Sequence, residues 1–269
     1  MGRALEIISG RVTFSNNAIV GLTMAAGDSL TVRNAPLESK VRLLNMWAIL
    51  QLATGSVRLR SPRLHDNVQG LRFTTPVADP QPLFPMGVAQ TLVPQDTLIC
   101  EVQVADAAGD FENVALLLSY DGLPGADARL ATWEDVQRRM VNIVTVENTI
   151  ATAATGGWTG AQALNTTFDL LKANTDYALL GYHCSAQACA IAWRGADTGN
   201  LRVGGPGGII QREMQAEWFK NLSLAYGLPL IPVFNSANRA GILIDIVQNE
   251  NAAAVIVDSI FAEIGPTAK

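Results

Sequence analysis

LTVRNAPLESKVRLLNMW (Leu30–Trp47) and TTFDLLKANTDYALLGYH (Thr166–His183) read as two copies of one pattern, with Leu43 and Leu44 falling on Leu179 and Leu180 at an offset of 136. Working outward, VRLRSPRLHDNVQGLRF (from Val57) lies over IAWRGADTGNLRV (from Ile191), which sets Arg60 on Arg194 at an offset of 134. LICEVQV (Leu98–Val104) then lies over ILIDIVQ (Ile242–Gln248), which sets Glu101 on Asp245 at an offset of 144. Three segments in the same order at nearly constant offset indicate a duplicated unit of about 120 residues. Solenoid repeats are far shorter, roughly 20–50 residues. The chain of 269 residues therefore divides into two similar domains of ordinary size.

Each copy reads as short strands between turns. In Leu98–Val104, the residues Leu98, Cys100, Val102 and Val104 share one face, while Ile99, Glu101 and Gln103 share the other. Such alternation marks a half-buried strand. Ile242, Ile244 and Ile246 repeat it in the second copy. Polar turns at 105–112 and 249–252 then lead into Val114–Ser119 and Val255–Ser259, which predicts an antiparallel hairpin in each copy. The fold class expected is all-β: two tandem antiparallel β-sandwiches, at 1–130 and 143–269, with a few short helices. A linker helix is expected over 131–142, where Thr132-Trp133-Glu134-Asp135 is a capped start. A longer helix is expected over 209–226, because Ile210, Met214, Trp218 and Leu222 recur every four residues. The matching part of the first copy, Thr74–Gln95, holds five prolines and reads as an irregular extended loop.

Composition narrows the function. Apolar residues make up 49% and charged residues only 16%, against about 25% in an average protein. So little charge cannot coat an ordinary solvated surface, and much of this one is expected to meet other protein. The cations are almost all arginine, with lysine only at Lys40, Lys172, Lys220 and Lys269. Interfaces favour arginine because guanidinium is weakly hydrated; a GC-rich genome, which also raises Arg, Ala and Gly, accounts for the same bias. A net charge of −5 argues against bulk electrostatic attraction to nucleic acid. No run of about 18 apolar residues is present. The start, MGRALEIISGRV, has no sustained apolar core of a signal peptide, and Glu6 stands where a myristoylation signal wants Ser or Thr. Three cysteines without a leader suggest free thiols in a reducing compartment.

Candidates for chemistry are few. His183, Cys184 and Cys189 form the nearest thing to a metal pattern. On one strand, however, Cys184 and Cys189 would point to opposite faces, and only His65 and Cys100 remain to complete four ligands. Neither His65 nor His183 is accompanied by a GxSxG elbow. Asp106 and Asp110 sit in a turn, where aspartate is favoured for geometry alone. Gly204-Gly205-Pro206-Gly207-Gly208 precedes the expected helix without the Lys-Ser/Thr of a phosphate loop, and reads as a flexible lead into that helix. Arg58, Arg60 and Arg63 form a compact basic cluster, with Arg58 and Arg60 on one strand face, open to nucleic acid or a neighbouring acidic subunit or, as such pairs more often are, simply solvated or ion-paired. Arg194-Gly195-Ala196-Asp197 is an interrupted RGD. Trp158, Trp193 and Trp218 are candidates for an exposed aromatic platform or for core positions. No catalytic residue, cofactor site or metal site is assigned, and a bicupin-type enzyme is disfavoured because one histidine per copy cannot supply that family's metal ligands.

A tandem pair of β-sandwiches with long loops, a linker helix and no active site resembles the double jelly-roll major capsid proteins of tectiviruses, corticoviruses and adenoviruses, over roughly Val12 to Phe261. The resemblance lies in architecture and not in a quotable motif. It implies eight strands per jelly roll and three chains forming a pseudo-hexagonal capsomer of an icosahedral shell. It further implies residence in the virion after assembly in the host cytoplasm. The implied partners are further copies of the chain, neighbouring capsomers and other virion proteins such as a vertex or membrane protein, with at most weak nucleic-acid or lipid contact and no small-molecule substrate. With about 120 residues per copy the chain would be a minimal member. The alternative expectation is another virion protein of paired sandwiches, a decoration, spike or tail protein that binds a host glycan.

Overall fold

The computed structural model describes residues 2–13, 16–35, 40–50, 55–63, 68–75, 80–105, 111–151, 157–159, 162–164, 170–208, 212–248 and 254–266. His65, Asp106 and Asp110 lie outside the described residues. In the first half the principal strands are β1 (Arg3–Thr13), β2 (Ile19–Gly21), β3 (Val41–Leu50), β4 (Gly55–Arg60), β5 (Leu71–Thr75), β6 (Gln90–Leu92), β7 (Ile99–Gln103) and β8 (Phe111–Asp121). Helix α1 (Trp133–Arg139) follows. The second half contributes β9 (Met140–Ala151), β10 (Gln162–Ala163), β11 (Asp176–Cys184), β12 (Ala188–Arg194), β13 (Val203–Gly207), α2 (Arg212–Ala216), α3 (Trp218–Tyr226), β14 (Ile231–Asn235), β15 (Leu243–Gln248) and β16 (Ala254–Ile264).

These strands form four antiparallel sheets. The first half contains β1-β8-β3-β6 facing β2-β7-β4-β5, and the second contains β9-β16-β11-β14 facing β10-β15-β12-β13. Adding eight to each strand number converts one half into the other. The registers agree down to single residues. Arg60 pairs with Ile99 and Arg58 with Glu101, just as Arg194 pairs with Leu243 and Ala192 with Asp245. Leu117 and Leu118 skip a residue between Asn45 and Leu43, leaving Leu44 as an extra residue. Ile260 and Phe261 likewise skip Leu180. A β-bulge on the same strand at the paired leucines, 136 apart, is the structural form of the alignment that opens the sequence.

Burial follows the sheets. Val57, Leu59, Cys100 and Val102 point inward from β4 and β7 while Arg58, Arg60 and Glu101 point out, so these strands alternate. In contrast, β1, β3 and β8 are buried along nearly their whole length. Alternate residues of these strands (Ala4, Ile8, Leu43, Met46, Leu116 and Leu118) enter the first sandwich. The others (Leu5, Ile7, Leu44, Trp47, Ile49 and Leu117) join the core of the second half. A strand with sheets or helices on both faces has no polar face to display, and its sequence becomes continuously apolar.

Several expectations are corrected. The segments Leu98–Val104 and Val114–Ser119 do not form a hairpin. β7 pairs with β2 and β4, while β8 pairs with β1 and β3, so the chain crosses from one sheet to the other. The equivalent β15 and β16 do the same. The helix expected over 131–142 covers only Trp133–Arg139. Leu130–Ala131 pairs with β14, and the extended backbone of Met140 opens β9. Thr132 does cap it, accepting a bond from the Asp135 amide at 3.2 Å. The helix expected over 209–226 is two helices broken at Glu217, with 209–211 outside the described residues. Part of the proline-rich stretch is a sheet edge, since Gln81–Pro82 and Gln90–Leu92 both line β3. Proline is tolerated on such an edge because it has no N–H to give.

Helix α3 is seated between the halves. Trp218 and Phe219 are fully buried, Phe219 against Tyr182 and Trp193, and Trp218 edge-on to Trp47 of β3 at 5.9 Å. Tyr226 Oη donates to the Leu44 carbonyl at 2.5 Å, which ties the helix to the bulge of the first half. Truncation of Trp218 to alanine empties a fully enclosed aromatic site. The expected loss is about 3–5 kcal/mol in denaturant unfolding, with the midpoint moved and the slope kept.

Candidate functional site

The contact between the halves is the most elaborate arrangement of side chains in the molecule. Large apolar residues on the outer face of β1-β8-β3 meet the outer face of β12 and β13. That receiving face is built from small residues, Ala190, Ala192 and Gly204, which leave room for Ile7, Trp47 and Leu117. Polar groups fix the register. The Ile7 amide donates to the Arg202 carbonyl at 2.8 Å, and Trp47 Nε1 donates to the Cys189 carbonyl at 2.5 Å.

A buried charge network runs along the rim. Asp28 of the first half receives the Ser9 amide at 2.8 Å, Trp158 Nε1 at 2.7 Å and the Arg202 guanidinium at 3.0 Å. Arg202 also reaches Asp245 at 3.0 Å and stacks over the Trp158 ring at 4.6 Å. Arg194 completes the chain, donating to Asp245 at 2.7 Å. Burial pushes the Asp28 carboxyl above its ordinary value, while the bonds from Trp158 and Ser9 and the Arg202 charge pull the other way. Such a network is weak evidence for stability, but removing one partner strands a buried charge and costs about 3–5 kcal/mol. A shifted seating of the halves would strand these charges.

The equivalent position in the first half is built differently. Glu101 sits at the register of Asp245 and binds Arg58 at 2.6 Å and Arg60 at 3.0 Å. The Asp245 side chain is 1% exposed, because the junction covers it, whereas that of Glu101 is 14% exposed on an open face. Arg60 first, then Arg58, holds the Glu101 carboxyl below its ordinary range.

The sequence candidates fall elsewhere. His183 is half-buried on β11 opposite Asp258. Cys184 and Cys189 do not share a strand; they flank a turn between β11 and β12 in different sheets. Among the described residues no three of His, Cys, Asp and Glu gather as a metal set. The glycine run is not a flexible lead. Gly204, Gly205 and Gly207 belong to the buried strand β13, and a Cβ on Gly204 would lie 1.9 Å from the Ile191 carbonyl oxygen, while one on Gly205 would meet Trp218 Nε1 at 2.4 Å. Arg63 is exposed and stands apart from the Arg58–Arg60 pair in a turn. Asp197 accepts from the Asn235 amide at 3.0 Å, a structural clasp. Trp193 and Trp218 are fully buried, and Trp158 lies half-buried in the rim network. Its part there, and that of Asp28 and Arg202, had no sequence signal, since these residues lie in loops 130 to 174 positions from their partners.

A polar cleft of about 440 Å³ lies at the end of the second sandwich, lined by residues including Arg139, Asp176, Asn235 and Glu263. Asp176 is clamped there by Arg129 at 2.6 Å and by Asn235 at 2.7 Å.

No known family model matches the chain, and no curated protein matches it. Among solved structures, the PBSX exported protein XepA is similar over 96% of this chain and 86% of its own, at 8% identity and a TM-score of 0.27. A chain of the virus-like particle of giant freshwater prawn Macrobrachium rosenbergii extra small virus is similar over 45% of this chain and 81% of its own, at 10% identity and a TM-score of 0.25. The major capsid protein P2 of bacteriophage PM2 is similar over 99% and 100%, at 9% identity and a TM-score of 0.20. Likenesses at such scores carry no function across to this chain.

Two measurements probe these groups. Cys100, Cys184 and Cys189 are buried and in no disulfide, and burial pushes the Cys189 thiol up to about 12. A chromogenic disulfide reagent should therefore find no reactive thiol in the native protein and three after unfolding. For Glu101, a depressed folded-state pKa means stability that is present above the ordinary value of 4.5 and drains as pH falls through the folded value. Melting curves taken from pH 6 to pH 2 should show a shallower acid limb for Glu101→Gln than for the wild type.

Proposed function

We propose that this chain is a structural virion protein, a major capsid protein built as a double jelly roll whose homotrimers form pseudo-hexameric capsomers of an icosahedral shell. The observation that carries the reading is the strand order. Within each half, the eight principal strands are shared four and four between two facing sheets, an order that agrees with the two interlocked Greek keys of a jelly roll. The two units correspond to 1–130 and 143–269, with 131–142 between them. Jelly rolls also serve lectins and cupins, so the strand order alone does not choose a role. The choice of a capsid role is supported by the pairing of the units, locked by an apolar junction into one body that offers two similar modules to its neighbours. Scarce lysine and low charge agree with a surface given over to contact between chains.

In this reading the protein is not an enzyme, its partners are copies of itself and other virion proteins, and it resides in the virion after assembly in the host cytoplasm. The glycan-binding alternative draws no support from Trp193 and Trp218, which are enclosed by the core. The test is the solution mass of the purified chain by light scattering behind a sizing column. A chain of 28.7 kDa should elute as a stable species of about 86 kDa, or as larger closed shells. A clean monomer at every concentration overturns the proposal.

A further inference from the structure

We infer that the polar cleft at the end of the second sandwich binds a neutral, polyhydroxylated ligand, a sugar of one or two rings, held by Glu263 and Arg139. This site goes beyond the assembly reading and does not depend on it. Arg139 closes α1, Asn174 and Thr175 lead into Asp176 at the start of β11, and Asn235 ends β14. Glu263 and Ile264 end β16, and Gly265 and Pro266 follow. The cleft they line measures about 440 Å³, within the range of small-ligand pockets, roughly 300–1,000 Å³.

Two atoms of this wall lack the bonds their chemistry asks for. Glu263 is 7% exposed; its Oε1 accepts from Lys172 Nζ at 2.7 Å, while its buried Oε2 has no partner among the described residues. Arg139 donates through Nη2 to Asp135 and through Nη1 to the Gly265 carbonyl at 3.5 Å, while its buried Nε likewise has none. A buried acceptor and a buried donor left unmade are costly, and folded proteins seldom keep them without a use. The fold itself does not require a carboxylate here. Glu263 lies opposite Tyr177 as Tyr120 lies opposite Val41, so Glu263 and Tyr120 hold the same position in the two units. In the first unit a buried tyrosine ring fills that end of the sandwich.

The charges around the cleft choose the ligand. Lys172 is paired with Glu263, Arg129 with Asp176 and Arg139 with Asp135. A charged group entering the cleft would meet opposite charges that are already taken. What remains is one acceptor and one donor, and a hydroxyl serves both. Hydroxyls of a sugar donate to Glu263 Oε2 and accept from Arg139 Nε, with Thr175 and Asn235 on the same wall. The terminal torsion of a glutamate is broad, so Oε2 turns toward the cleft while Oε1 keeps Lys172.

Saturation-transfer NMR on the full chain tests the site. Glucose, galactose, mannose and N-acetylglucosamine serve as neutral probes, with N-acetylneuraminic acid and glycine as charged ones. At least one neutral sugar should take up saturation from the protein. Its affinity should fall about 10–100-fold in Glu263→Gln, where an amide NH₂ replaces the free acceptor and the amide oxygen stays with Lys172. Thr175→Trp puts bulk into the cleft, leaves both unpartnered atoms in place, and should abolish binding. Glu101→Gln, in the other sandwich, should bind as the wild type does. Melting curves check that each variant is folded, and Thr175→Trp carries the test if Glu263→Gln is not. No transfer to any neutral sugar, transfer to the charged probes alone, or binding that survives both cleft variants overturns the inference. None of these results bears on the mass of the oligomer, so the site and the assembly reading fail separately.

Discussion

The seating of large apolar side chains against a sheet of small residues governs this molecule. Trp47, Ile7 and Leu117 project from the first unit onto Ala190, Ala192 and Gly204 of the second. Size complementarity of this kind allows close approach without voids, and interiors tolerate little else. The constraint spreads outward. β13 must be glycine-rich, because Trp218, Tyr182 and β12 leave no room for a Cβ. Trp218 must enter from α3 to fill the space beside Trp47, and the Asp28–Arg202–Asp245 network closes the rim. Each element is held by a partner in the other half or next to it.

The duplication makes differences between the units informative. A carboxylate occupies the same register in both, with an arginine on the neighbouring strand. In one unit it is sealed in the junction, and in the other it lies on an open face. The scaffold is repeated while its surfaces have diverged, small and apolar where the halves meet and charged where they do not. Divergence limited to faces is what a fold permits when the inward residues of each strand are committed to a shared core.

Much of this was legible in the chain itself. Leu43-Leu44 and Leu179-Leu180 marked the duplication because the bulge they carry needs the same local pattern in both units. Alternation in Leu98–Val104 was readable because one face of that strand meets water. The partner of each strand was not readable. A strand that crosses to the opposite sheet has the same alternation as one that folds back, so the expected hairpins were wrong. Gly204–Gly207 resembled a loop because its reason for lacking side chains lies in Trp218 and Ile191, neither of which is near it in pattern. The break at Glu217 was hidden for a similar cause. A four-residue stripe through Met214, Trp218 and Leu222 looks continuous, while burial of the adjacent Trp218 and Phe219 together is a demand made by the two sandwiches. The rim network was invisible, since its members are loop residues brought together only by folding.

The double-sided burial of the first sheet also has a consequence during synthesis. Trp47 leaves the ribosome 142 residues before Cys189, the residue whose carbonyl it binds. At roughly 5–20 residues per second, the face bearing Leu5, Ile7 and Trp47 waits on the order of 7–30 seconds for its cover. Through that interval the nascent first unit displays a flat apolar sheet in a crowded cell. Such transiently exposed apolar surface is where chains associate wrongly, so correct folding requires the second half to arrive before another chain does.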